Sequence, residues 1–203
     1  MYYQNTRRFR PDRINTISRG GDLLVTLESA KNYIRARMEG DNDSIQAMLL
    51  AIQRNVERYA GIRIDTGTFD AYYSATANEL DLTDIPATVV SVHYLNDQGV
   101  ETQMVANSDY IVVQKASPTI VILEGSYYFR LFSNLVSPVQ FRVRYTAGYN
   151  DFDDVWPEVR LAIESQLGFY YKNRNDGDQQ QIVLSGDLTL QAKALLDPIR
   201  LRR

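Results

Sequence analysis

The part of the sequence that most constrains the fold runs from residue 144 to residue 175, RYTAGYNDFDDVWPEVRLAIESQLGFYYKNRN. It predicts the end of a strand, a glycine turn, an acidic loop and one long helix. Pro157 sets the helix start, because its ring fixes φ and a first helical turn needs no amide donor there. Trp156 precedes the proline and is pushed towards extended geometry, so it falls at the cap. We expect the rest of the chain to pack around this helix.

The long helix is predicted to be a buried scaffold with no catalytic constellation on it. Apolar residues recur at helical spacing on one face. The members of that face are Val159, Ile163, Gln166, Leu167 and Tyr170. Ser165 and Gly168 form a strip of small residues that another helix could approach closely. Glu158, at the helix start, places negative charge at the positive end of the helix dipole.

Composition limits the classes of function. A chain of 203 residues with 44% hydrophobic residues can bury a core as one large domain, or as one domain with an insertion. A net charge of -3 argues against a generally basic nucleic-acid binder. The absence of cysteine excludes disulfides, thiolate metal sites and a cysteine nucleophile. No apolar run approaches the ~20 residues that span a bilayer, and the start lacks the core of a signal peptide, so we expect no membrane partner.

Residues 1–22 are predicted to form a flexible basic arm. Arginines outnumber aspartates there, a proline and a Gly-Gly pair interrupt the segment, and no period is sustained. We expect an extended or disordered segment that folds against a partner, if at all, and a merely solvated tail is the alternative. Arginine suits carboxylates on a protein as well as DNA phosphates. The candidate contact residues of the arm are Arg7, Arg8, Arg10 and Arg13.

Residues 23–61 predict a helical hairpin. Thr26 can cap a first helix, which Gly40 closes. Asp43 can cap a second helix, which ends at Gly61. Two amphipathic helices joined by a short polar loop should lie antiparallel.

Residues 62–145 change to the period of strands and predict a small antiparallel β-subdomain, inserted between helices. Turn signals separate runs of apolar residues. These runs lie at 89–95, 100–105, 110–113, 119–123, 127–132 and 139–145. The run at 127–132, YYFRLF, has adjacent large side chains that must point to both faces of a strand. Something else must therefore cover one of its faces.

Residues 146–197 are predicted to complete the helical body with the long helix, a polar loop and a final helix at 188–196. Asp197 and Pro198 break that helix. Residues 198–203, PIRLRR, form an amphipathic basic end, which predicts a docking peptide or a frayed end. The expected fold class is α+β: a helical bundle, made of an N-terminal helical hairpin and a long C-terminal helix, with an inserted small antiparallel β-subdomain.

The residues offer no convergent catalytic set. His93 is the single histidine and stands inside a predicted strand, which favours a structural or surface role over a base or metal ligand. The acidic residues between Asp151 and Glu158 do not follow the spacing of an EF-hand loop, and the helix start explains them. Neither a P-loop nor a dinucleotide-binding motif is present. We predict that the protein is not an enzyme and has no catalytic, metal-binding or cofactor-binding residue.

The order of elements carries more information than any single residue. A capped helix LVTLESAKNYIRARMEGDND is followed by VERYAG, PATVVSVHYLNDQG, VRYTAGYND and WPEVRLAIESQLGFYYKNR. Over residues 24–203 this pattern resembles the head-tail connector, or adaptor, proteins of tailed bacteriophages and prophages. The most specific parts of the resemblance are residues 145–149, 170–174 and 195–200.

The resemblance implies a non-enzymatic protein of the virion neck, made in the cytoplasm of the host bacterium. Family members form a ring, commonly of twelve copies, beneath the portal protein, and they offer a surface to further neck or tail proteins. Packaged DNA would pass through the lumen without specific binding, which fits the acidity of the chain. The candidates for docking onto the portal are Pro198, Ile199, Arg200, Leu201, Arg202 and Arg203. The candidates for a subunit or tail-side interface are Tyr127, Tyr128, Phe129, Arg130, Leu131 and Phe132.

Two other classes of function remain as alternatives, and both rank below the connector hypothesis. A nucleic-acid-binding DNA-packaging factor is suggested by the arginine arm, and it predicts DNA binding that weakens as salt rises. A hydrolase or carbohydrate-binding module is suggested by the aromatic-rich β region. It predicts a concave site lined by tyrosine and tryptophan, with paired carboxylates.

Overall fold

The computed structural model describes residues 8–36, 39–75, 78–95, 100–114, 118–123, 126, 139–173 and 187–200. The chain divides into two compact units, each made of two chain segments. The β unit comprises residues 1–20 and 66–148, and the helical unit comprises residues 21–65 and 149–203. The chain therefore passes from one unit to the other three times.

The prediction of a helical bundle with a small inserted β-subdomain is wrong. The described residues form nine strands in two sheets together with four α-helices, so the protein is mixed α/β. The sheets also take strands from residues 8–19, before the helical hairpin. Those residues lack an apolar pattern because their longer strand lies at a sheet edge, where most side chains are exposed or half-buried and Ile14 packs against the core.

The two sheets contain five and four of the described strands. In chain order the strands are β1 (Arg8–Phe9), β2 (Arg13–Arg19), β3 (Gly67–Ala75), β4 (Glu79–Asp81), β5 (Ala87–Leu95), β6 (Glu101–Gln103), β7 (Tyr110–Val113), β8 (Thr119–Ile122) and β9 (Val139–Ala147). The five-stranded sheet has the order β2-β3-β9-β5-β6, and the four-stranded sheet has the order β1-β4-β8-β7. Neighbouring strands are antiparallel, apart from the parallel pair β1 and β4.

The core of the β unit is shared by both sheets. It is formed by Phe69, Ala71, Tyr73, Leu80, Leu82, Val92, Met104, Tyr110, Ile120, Ile122, Phe141, Val143, Tyr145 and Ala147. Alternate residues of β3 and β9 supply it, since side chains alternate between the two faces of a strand. The rings of Phe69 and Tyr145 stack at 5.6 Å between centroids. The Tyr145 hydroxyl donates a hydrogen bond of 2.6 Å to the buried Asp84 carboxylate, so this buried polar pair is satisfied.

The helical unit contains α1 (Leu27–Ile34), α2 (Asn42–Ala60), α3 (Pro157–Lys172) and α4 (Leu190–Leu196). The predicted start of α3 is confirmed, with Trp156 at the N-cap and Pro157 in the first turn. Buried residues of this helix include the whole predicted apolar face. Tyr33 of α1 lies against α3 at Gly168, where a Cβ would stand 3.3 Å from the tyrosine ring. The predicted strip of small residues therefore accommodates an aromatic side chain.

The ends of α1 and α2 agree with the predictions in part. Thr26 caps α1, because its hydroxyl accepts a hydrogen bond from the Ser29 amide. The helix ends at Ile34, before the predicted Gly40, with Arg35 in the left-handed region at φ 55°. Asp41, and not Asp43, occupies the N-cap of α2, whereas Gly61 ends this helix as predicted.

Two buried glutamines fix chain segments to the helices. Gln53 of α2 accepts from the Leu24 amide at 2.9 Å and donates to the Asp22 carbonyl at 2.8 Å. Gln166 of α3 accepts from the Thr189 amide at 2.8 Å and donates to the Asp187 carbonyl at 3.3 Å. The donor and the acceptor of each buried amide side chain are thus both satisfied by backbone groups, which avoids the cost of burying them without partners.

Candidate assembly surfaces

The candidate interface and docking residues fall partly outside the described residues. Residues 127–132, proposed for a subunit or tail-side contact, lie outside them, as do Arg7 of the arm and residues 201–203 of the tail. Arg8 belongs to β1, and Arg10 is exposed just before β2. Arg13 is the first residue of β2, and its guanidinium lies 4.5 Å from the centroid of the Tyr72 ring. Residues 8–20 of the arm thus belong to the β unit.

The start of the C-terminal tail lies against α2. Pro198 and Arg200 are exposed, and Ile199 is half-buried. The Tyr59 hydroxyl donates to a carboxylate oxygen of Asp197 at 2.6 Å. The guanidinium carbon of Arg200 stands 4.5 Å from the centroid of the same tyrosine ring. One tyrosine therefore contacts residues on both sides of the helix-breaking proline.

The face of the five-stranded sheet that points away from the shared core carries a charge network that sequence reasoning missed. Asp70 of β3 lies opposite Arg144 of β9, which donates to both carboxylate oxygens at 2.8 Å. Arg142, two residues before Arg144, donates to Asp70 at 3.1 Å and also to Glu101 of β6. Side-chain exposure is 3% for Asp70, 10% for Arg142 and 38% for Arg144. The sequence signal for this network is the segment QFRVRYT, in which arginine stands at alternate positions of a predicted strand.

His93 of β5 lies beside this network. Its register partner on β9 is Arg142, and its Nδ1 atom stands 3.8 Å from a Glu101 oxygen. Its Nε2 atom is 3.2 Å from the Ser91 hydroxyl. Burial, reinforced by the Arg142 charge, holds the pKa of His93 below its ordinary value. The hydrogen bonds from Arg144 hold the pKa of Asp70 below its ordinary value, against the opposing effect of burial.

These two shifts predict how stability depends on pH. Both folded-state pKa values are lowered, so the unfolded chain binds more protons than the folded protein, and the free energy of unfolding should rise with pH. On acidification, the loss due to His93 begins near its ordinary pKa of 6.5. The loss due to Asp70 begins near its ordinary pKa of 3.8 and continues as pH falls through its lower folded value.

Urea unfolding at a series of pH values measures these losses. His93→Gln should remove the loss that begins near pH 6.5, while the loss at lower pH remains. A variant that keeps the full loss of stability that begins near pH 6.5 would rule out the assignment to His93.

The described residues contain no group of three or more histidine, aspartate or glutamate side chains placed to hold a metal ion. None of the helices in the described part of the chain combines the length and apolar character of a membrane span. An open cavity of about 300 Å³ lies beside α2, with Asp43 as its ionisable lining residue. It is lined by Gly21, Leu23, Asp43, Gln46, Ala47 and Leu50.

Comparison with known proteins gives structural matches alone. No family model matches the sequence, and no curated protein matches it. A chain in the neck of an empty gene transfer agent particle, computed with C6 symmetry, matches with a TM-score of 0.69 at 17% identity. The match covers 94% of this chain and 96% of that chain. This chain shares its fold.

Two further solved structures contain chains of the same fold. One is the virion of a native gene transfer agent particle, with a TM-score of 0.68. The other is the neck of the native particle, computed with C12 symmetry, with a TM-score of 0.62. Both matching chains are 17% identical, with 94% of this chain and 96% of each matching chain covered. The shared fold therefore extends over nearly all of the sequence.

Proposed function

We propose that the protein is a structural component of a virion neck and performs no catalysis there. The observation that supports this is the shared fold with gene transfer agent neck chains over 94% of the sequence. Such coverage includes both the β unit and the helical unit. The motif resemblance to head-tail connectors, which comes from the sequence, points to the same part of a virion.

Within the neck, the protein acts as the head-tail connector. It forms a ring of twelve copies under the portal protein and joins the DNA-filled head to further neck or tail proteins. Neck structures computed with C6 and C12 symmetry support a cyclic arrangement. A closed ring requires two different patches on each subunit, which meet head to tail.

The proposed contacts follow the sequence candidates. Residues 198–203 dock onto the portal, and residues 127–132 serve the subunit or tail-side interface. Packaged DNA passes through the lumen without specific binding. The net charge of -3 supports this last point, because phosphate contacts dominate the affinity of proteins for nucleic acid.

Native mass spectrometry of the protein, alone and mixed with the portal ring of the same genome, tests the proposal. We expect the portal ring to gain twelve copies of the subunit. A ring with another number of copies would correct the proposed stoichiometry, but the proposed role in the neck would still stand. A folded protein that never adds to a folded portal ring would overturn the connector assignment. Titration with duplex DNA at several salt concentrations would then test the packaging-factor alternative.

A further inference from the structure

The C-terminal tail begins in contact with its own subunit. Tyr59, in the last turn of α2, bonds to Asp197 through its hydroxyl and lies under the guanidinium of Arg200 through its ring. The two contacts use different parts of one side chain. They fix the direction of the chain immediately before residues 201–203.

Both contacts are of a kind that a partner can replace. The hydrogen bond between Tyr59 and Asp197 is exposed to solvent, and Arg200 is exposed as well. Cation–π contacts at exposed sites are weak, so a competing aromatic ring or carboxylate can take the arginine. The face of the Arg200 guanidinium that lies over Tyr59 can stack on another aromatic ring only after it leaves Tyr59.

We propose that Tyr59 is a latch that holds residues 198–200, the start of the docking tail, on their own subunit until the portal takes Arg200. This inference rests on the proposed function, since residues 198–203 are its portal-docking segment. The portal site that releases the latch offers what Tyr59 and Asp197 offer now, namely an aromatic face with a carboxylate beside it. The tail must leave Tyr59 before it can dock, and this requirement slows docking onto the portal.

The first experiment needs the subunit alone. The chain has no cysteine, so Leu201→Cys gives a single attachment point for a nitroxide spin label next to Arg200. Tyr59→Phe keeps the ring and removes the hydroxyl, and Tyr59→Leu removes both contacts. We expect the ratio of mobile to immobile label to rise about threefold for Tyr59→Phe and about tenfold for Tyr59→Leu.

Tyr171→Phe is the matched control. It removes a hydroxyl that donates to Asp41 at 2.7 Å elsewhere in the helical unit, and it should leave the label unchanged. Label mobility that is the same in both Tyr59 variants as in the parent would overturn the latch, whatever the portal does. Tyr59→Phe decides the matter if Tyr59→Leu proves unstable.

The second experiment measures the rate at which unlabelled subunits associate with the portal ring. We expect Tyr59→Phe and Tyr59→Leu to speed association in proportion to the mobile fraction of the label, because the docking-competent population grows. Freed tails with an unchanged association rate would overturn the regulatory role. If neither the parent nor any variant binds the portal, the proposed function fails, while the label result still establishes whether Tyr59 holds the tail.

Discussion

Replacing Asp70 by asparagine is expected to lower the free energy of unfolding by about 3 kcal/mol, near the lower end of the cost of breaking a buried ion pair. Asparagine keeps the shape of the side chain and removes its charge. Arg142, which is almost fully buried, would then lose one of its two carboxylate partners, and Arg144 would lose both of its charged contacts. Because Arg144 is partly exposed, water can solvate its charge, and this limits the loss in the free energy of unfolding.

Equilibrium urea unfolding, followed by far-ultraviolet circular dichroism, measures this change as a lower midpoint with an unchanged slope. Asp153→Asn is the matched control, because Asp153 is an exposed carboxylate outside the network. It should change the free energy of unfolding by no more than about 0.5 kcal/mol. Equal midpoints for the two variants would show that the network contributes nothing to stability.

Deleting residues 198–203 should leave a folded subunit that binds the portal at least about a hundredfold more weakly. The deletion removes Pro198, Ile199 and Arg200 from the described structure, and the contact of Arg200 with Tyr59 is an exposed one. The core residues Ala192 and Leu196 of α4 stay in place, so the helical unit should keep its packing. Thermal unfolding and portal binding by surface plasmon resonance measure the two effects separately.

A charge-matched control separates docking from general attraction. The triple substitution Arg54→Gln, Arg160→Gln and Lys172→Gln removes three exposed cations of the helical unit, the same number of arginines that the deletion removes. We expect the triple variant to bind the portal as the parent does. An equal loss of portal affinity in the deletion variant and the triple variant would mean that net charge, and not the tail, drives binding.

Local signals were sufficient to predict most of the helices. Pro157 fixed the start of α3 because a proline restricts its own φ and the residue before it. Thr26 fixed the start of α1, and Gly61 fixed the end of α2 at φ 77°. The end of α1 was misjudged because Arg35, and not Gly40, adopts the left-handed conformation. Nothing in the local sequence distinguishes that arginine, and the hydrogen bonds from the Arg35 and Ala36 amides to the carbonyls of Asn32 and Lys31 close the helix there.

The size of the β part was underestimated for a physical reason. Strands β5, β7, β8 and β9 are rich in apolar residues and lie close to their predicted positions. Strand β2 is mostly polar, and β3 interrupts its buried Phe69 and Tyr73 with the charged Asp70. A carboxylate in mid-strand argues against a sheet unless its partners are known. Those partners, Arg142 and Arg144, lie more than seventy positions away in the chain.

From the sequence, the candidate surfaces could be predicted only as segments of chain, without the contacts that their residues make. The sequence marks residues 198–203 as basic and amphipathic, yet it gives no indication that Arg200 meets Tyr59, a residue of a different helix. The same limit applies to His93, whose place beside Arg142 depends on strand register. Contacts between distant positions follow from topology, and the topology was misjudged when the arm was left out of the sheets.

The division of each unit into two chain segments sets an order for folding during synthesis. All nine described strands have been made once the ribosome has passed Ala147, so the β unit can close while the rest is still being translated. The hairpin of α1 and α2 must wait for α3 and α4, and until then its buried face, which includes Ile45, Ile52 and Val56, has no cover from them. That face is the part of the nascent chain that a chaperone would need to shield.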